Sequence, residues 1–114
     1  MKSGTLLKPG KVVLIPFPFS DLSTQKRRPA LVLTQPDNQG DFLAIAITSQ
    51  PGHKDALEIM KTDLIVGTLP KRSWIRVRKI YTLNVSIVVA LFGEVSPLAF
   101  NRIHQSLCDS LGCG

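Results

Sequence analysis

The stretch Lys26-Arg27-Arg28-Pro29-Ala30-Leu31-Val32-Leu33-Thr34 (KRRPALVLT) passes directly from a cationic block into an apolar, β-prone run. Proline restricts the residue before it to extended backbone, so Arg28 stays out of any helix. A strand over Ala30–Gln35 follows at once, ended by the turn-rich PDNQGD. The arrangement holds a guanidinium at the mouth of a strand, where its planar fork suits a phosphate. A basic loop end preceding a strand is the other meaning of such a block.

Outward from this block the same grammar repeats. Upstream, Lys11–Ile15 is apolar and β-branched and lies between Gly10 and Pro16, which predicts a strand. Pro16-Phe17-Pro18-Phe19 then forms an extended arm leading into a polar loop, Ser20–Lys26. Downstream, Phe42–Ser49 (FLAIAITS) predicts a third strand, and Ala56–Met60 and Leu64–Val66 predict two short ones. Ser73–Leu83 and Val85–Val95 complete the set. One helix is expected at the end: Ser96 can cap it, Pro97 fits its first turn and Gly112 can stop it. Ala99, Ile103, Leu107 and Leu111 recur every four residues as its apolar stripe, widened by Phe100. Short strands followed by one packing helix predict a mainly β fold with a C-terminal helix, a small antiparallel barrel.

The chain has 114 residues, which suits a single domain over 1–114 with a real core. No repeat or long linker divides it. Its longest apolar run, Ile87–Phe92, falls far short of the roughly 20 residues of a spanning helix. The N-terminal MKSGTLLKPGKVVL lacks the pattern of a signal peptide, so a cytoplasmic protein is expected, with no membrane partner. Cys108 and Cys113 are too close together to staple a large loop. His104 and Cys108 have helical pair spacing but no second pair, so no metal site is expected.

The net charge is +6, which favours a polyanionic partner. Most of the cations cluster: Lys26, Arg27 and Arg28 in one block; Lys71, Arg72, Arg76, Arg78 and Lys79 in another. Alternation puts Ile75 and Val77 on one side of their strand and Trp74, Arg76 and Arg78 on the other. An indole beside guanidiniums suits single-stranded RNA, with ring stacking on bases and cations on phosphates. A charge-guarded edge strand fits the same pattern. In Phe42–Ser49, Leu43, Ile45 and Ile47 should face the core, while Ala44, Ala46 and Thr48 leave an uncrowded face open to a ligand. Ile87–Phe92 is apolar at both alternating positions, so both of its faces should be covered, one by the barrel core and the other by the helix or a second subunit.

Taken together, GKVVLIPFPFSDLSTQKRRPALVLT, then FLAIAITS, then SWIRVRKIYTL resemble the MazF/PemK family of toxin endoribonucleases of type II toxin–antitoxin systems, over about Lys8 to Leu111. The resemblance implies a small SH3-like barrel, usually a homodimer, that cleaves single-stranded RNA without metal or cofactor. It implies a cognate antitoxin with an acidic, disordered segment. The arginine of the family's RP motif falls on Arg28 and its threonine at the strand end on Thr48; both are expected to be catalytic. Ser49 matches the neighbouring hydroxyl. Together with Lys26, Arg27, Trp74, Arg76, Arg78 and Lys79 it is expected to bind RNA.

Two departures stand out. Some members carry an R-x-D pattern on the late strand; here it reads Arg76-Val77-Arg78, without the carboxylate. Some have a histidine in the loop before the RP motif, absent from SDLSTQK. His53 could supply a base near neutral pH, or be a solvated loop residue. Related barrels that only bind nucleic acid, or that bind gyrase, are the alternatives.

Overall fold

A computed structural model describes residues 7–16 and 27–112. Seven strands form one antiparallel sheet: β1 (Lys11–Pro16), β2 (Arg27–Val32), β3 (Asp41–Thr48), β4 (Ala56–Ile59), β5 (Leu64–Val66), β6 (Ser73–Asn84) and β7 (Ala90–Val95). Their order across the sheet is β4-β6-β3-β2-β1-β7-β5. The two edges, β4 and β5, are consecutive in the chain and are joined through a 3-10 turn at Lys61–Asp63. The sheet is therefore strongly curled, as a half-barrel. The arm and loop at 17–26, Lys26 included, lie outside the described residues, as does Cys113.

The single α-helix, α1 (Pro97–Leu111), has the expected ends. The Ser96 side chain accepts the Ala99 N–H, Pro97 opens the first turn, and Gly112 closes the helix in the left-handed region. Ala99, Ile103 and Leu107 are buried against the sheet. Leu111 is not: as the last helical residue it reaches past the sheet and stays 67% exposed.

Both faces of the sheet are covered. Val12, Leu31, Ile45, Ile47, Ile75 and Val95 pack with the helix on one side. Val13, Ile15, Ala30, Val32, Phe42, Ala44 and Leu83 form a second cluster on the other. This corrects the expected division of β3. Ala44 is fully buried and Leu43 is 39% exposed, because the curl closes the second face over Ala44. Only Ala46 and Thr48, nearer the strand end, stay half-buried.

The expected strand Val85–Val95 is also corrected. Val85–Ile87 is a 3-10 turn, nucleated where the Asn84 side chain accepts the Ser86 N–H, and the strand begins only at Ala90. Val85, Ile87 and Val88 fold over the second cluster instead of extending. Their β-propensity yields to the need to cover apolar surface. Within the chain Val89 and Leu91 remain 44% and 43% exposed, so the run is not covered on both faces.

Where β5 meets β7, backbone approaches backbone closely. A Cβ on Gly93 would lie 2.6 Å from the Val66 carbonyl oxygen, so only glycine fits there. Among the described residues no helix is long and apolar enough to cross a membrane.

Candidate active site

The cationic block turns out to be part of a strand: β2 begins at Arg27, with Arg27 opposite Pro16 and Arg28 opposite Ile15 on β1. On its other side β2 pairs with β3, Ala30 against Ala46. Beyond this last pair, Arg28 and Thr48 both lie toward the same end of the two strands. Pro29, with no N–H to give, lies between Arg28 and the buried start of the apolar run.

Two adjoining pockets open at this end of the sheet, and Arg28 and Thr48 line both. One, of about 390 Å³, also includes Arg27, Ser49, Lys71 and Phe92. The other, of about 290 Å³, includes Ala46, Arg76, Lys79 and Tyr81. Arg27, Arg28, Lys71, Arg76 and Lys79 thus converge on one groove, and no carboxylate is among its lining residues. A concave site lined by one sign of charge concentrates anions. A larger pocket of about 560 Å³, beside β4 and the 3-10 turn, includes neither Arg28 nor Thr48 and meets the first along Leu69–Lys71.

The two central side chains are pre-set for an incoming group. Arg28 Nε is fully buried and has no hydrogen-bond partner among the described residues. Such a donor carries an unmet desolvation penalty that a bound oxygen would relieve. The Thr48 hydroxyl oxygen accepts the Gln50 N–H at 3.1 Å, which fixes the side chain and leaves its O–H to donate elsewhere.

The remaining expected residues divide. Ser49, Arg27, Arg76 and Lys79 reach the groove. Trp74 pairs with Thr48 across the sheet and shares its face, but it does not line either pocket. The Arg72 guanidinium lies over its ring, 5.3 Å from the centroid, and bonds Glu58 at 2.8 Å. The indole is therefore already stacked. The Arg78 side chain is exposed and lines neither pocket; its backbone N–H donates to Asp55 at 3.2 Å. His53 is half-buried and likewise lines neither.

Asp55 and Lys71 were missed by sequence reading as site residues. Lys71 stood in the cationic block, but the loop that turns it into the groove gives no local signal. Asp55 Oδ1 accepts from Arg76 Nε at 3.3 Å. Burial works against its charge, but N–H donors from its own backbone and from Arg78, with the charge and hydrogen bond of Arg76, hold its carboxyl below the ordinary range. Among the described residues no three His, Cys, Asp or Glu side chains lie together as metal ligands.

Solved structures share this architecture. A MazE–MazF complex from Deinococcus radiodurans matches with a TM-score of 0.73 at 19% identity, covering 93% of this chain and 96% of that one. An endoribonuclease in complex with its cognate antitoxin, from a mycobacterial species, matches at 0.66 and 20% identity, covering 95% and 97%. The Mycobacterium tuberculosis toxin MazF-mt6 matches at 0.67 and 15%, covering 90% and 96%. At these identities the likeness establishes the fold. No curated protein sequence matches the chain. The model of the PemK-like, MazF-like toxins of type II toxin–antitoxin systems, however, matches residues 8–111. With nearly its whole length covered, this chain belongs to that toxin family.

Proposed function

We propose that the protein is an endoribonuclease that cuts single-stranded RNA at selected sequences by attack of the 2′-OH on the adjacent phosphorus, without a metal ion. The observation that carries this reading is the buried Arg28 Nε, without a hydrogen-bond partner among the described residues, beside Thr48 on a groove lined by cations. As the 2′-oxygen bonds to phosphorus, negative charge builds on the non-bridging oxygens, and as the P–O5′ bond breaks the electron pair leaves with O5′. A guanidinium remains protonated throughout and is no base; Arg28 stabilises that charge and donates a hydrogen bond. Thr48 positions the phosphate through its O–H. No carboxylate or imidazole lines the groove among the described residues; the scissile phosphate's own oxygen takes the 2′-OH proton and passes it to the departing O5′. The products are a 2′,3′-cyclic phosphate and a 5′-hydroxyl. Arg27, Arg76 and Lys79 hold neighbouring phosphates.

The same reading places the protein in the cytosol as a homodimer, restrained by a cognate antitoxin whose acidic, disordered segment competes for the basic groove. The named neighbours that are complexes with antitoxin support a partner of that kind.

The deciding experiment is incubation of purified protein with mixed-sequence RNA in excess EDTA, followed by end-group analysis. Cleavage leaving 5′-hydroxyl ends is expected. Activity that disappears in EDTA and returns with magnesium would overturn the mechanism; RNA bound but left intact would make the protein a binding barrel.

A further inference from the structure

β6 does not run flat past β3. Ile47 pairs with Ile75 and Ile45 with Ile80, so Ala46 alone stands against Arg76, Val77, Arg78 and Lys79. This is a bulge of several residues, and bulges re-aim the side chains they carry. Asp55, in the loop before β4, holds it at three points. Its carbonyl oxygen accepts the Val77 N–H at 3.0 Å. Its Oδ2 accepts the Arg78 N–H at 3.2 Å and its Oδ1 accepts from Arg76 Nε at 3.3 Å.

The Arg76 guanidinium is thus engaged through Nε, which leaves its terminal nitrogens uncommitted among the described residues. Arg76 lines the 290 Å³ pocket together with Arg28 and Thr48. A guanidinium held by a carboxylate on one edge keeps its other donors for a phosphate, and less side-chain entropy is lost when RNA binds. The late strand lacks the R-x-D carboxylate; here the acid comes from another part of the chain.

We infer that Asp55 is a positioning residue that sets Arg76 to grip the RNA phosphate beside Arg28 and Thr48. The inference rests on the nuclease reading and adds the residue that organises its second cationic arm.

Charge alone makes the opposite prediction. Asp55 is a negative group next to a phosphate-binding groove, so its removal on electrostatic grounds should tighten RNA binding. Positioning requires that its removal weaken binding, and only while Arg76 is present. The test is a titration with a single-stranded RNA carrying methylated 2′-oxygens, which cannot be cut, using wild type, Asp55→Asn, Arg76→Ala and the double variant. Asp55→Asn keeps an acceptor for the Arg78 N–H and loses the charge; thermal melts of each variant confirm folding, and Asp55→Ser serves if Asn does not fold. Asp55→Asn should bind several-fold more weakly than wild type, and should have no weakening effect in the Arg76→Ala background. Tighter or unchanged binding by Asp55→Asn overturns the inference, as does equal weakening in both backgrounds. Parallel cleavage of unmodified RNA by the wild type separates the two levels. Protein that cuts RNA but binds independently of Asp55 loses this assignment alone, whereas protein that neither binds nor cuts RNA loses the nuclease reading and this inference with it.

Discussion

Arg102 on α1 reaches Asp63 in the 3-10 turn between β4 and β5, Nη2 to Oδ2 at 2.9 Å. Asp63 is only 8% exposed, and the same Oδ2 accepts the Met60 N–H at 2.7 Å. One carboxylate therefore caps the turn and ties it to the helix. The hydrogen bond from Arg102 leads the effects that hold its carboxyl below the ordinary 3.8, with burial opposing.

Asp63→Ala removes the cap and the ion pair together, and should destabilise the protein by about 2 kcal/mol, lowering Tm on the order of 10 °C. A carboxyl with a depressed folded pKa stabilises fully above its unfolded pKa and loses that contribution as pH falls through the folded value. The gap in Tm between wild type and Asp63→Ala should therefore be complete at neutral pH and narrow below about pH 4. A gap that does not change on acidification would show that the charge on Asp63 contributes nothing.

Arg28→Ala should lower the single-turnover cleavage rate at saturating protein by about 10²–10³-fold, the usual effect of removing one donor to developing charge. RNA affinity should fall much less, since many phosphate contacts remain. Thr48→Val preserves shape and removes the hydroxyl, so it should slow the same step. Wild-type rates in both variants would place the chemistry elsewhere.

Trp74, the sole tryptophan, pairs with Thr48 across β3 and β6, and Arg72 lies over its ring. RNA seated at Thr48 should change the indole emission, giving a titration curve that coincides with binding measured independently. Arg72→Ala uncovers the ring and should enlarge the change. Emission that is unaffected at saturating RNA would mean that the strand does not cross the Thr48–Trp74 row.

Val89, just before β7, and Leu91, within it, remain nearly half exposed within one chain. Light scattering at micromolar concentration should give the mass of a dimer, and Leu91→Glu should shift it toward monomer without altering the far-UV circular dichroism. A wild-type monomer at that concentration counts against pairing of two copies.

Local signals carried most of the element reading. The β5 bounds and the capped ends of α1 coincide with expectation because turn and cap chemistry act over a few residues. Arg28 and Thr48 were legible as a pair only through family resemblance; that they line the same pockets depends on the pairing of two strands. The face assignment of β3 failed at Ala44 because alternation reveals two faces but not that a curled sheet buries both. Asp55 left no trace, since its role exists only once a bulge forms on a strand distant in sequence. Trp74 is visible in the sequence as an aromatic among cations, but nothing in the sequence marks Arg72, two positions away, as the group that covers its ring.

The turn at Lys61–Asp63 joins the two edge strands of the sheet, so the ends of the ladder are consecutive in the chain. In folding, β1, β2 and β3 can pair as neighbours, whereas β6 must return to β3 and β7 to β1 before β4 and β5 have partners. The turn is thus a clasp that closes late, once loop-closure entropy has already been overcome elsewhere. Its lock, Arg102, comes from the helix that follows all seven strands in the chain. Until the C-terminal helix docks, both edges of the sheet lack that tie, and opening the clasp in the finished protein frees two strand edges in a single event.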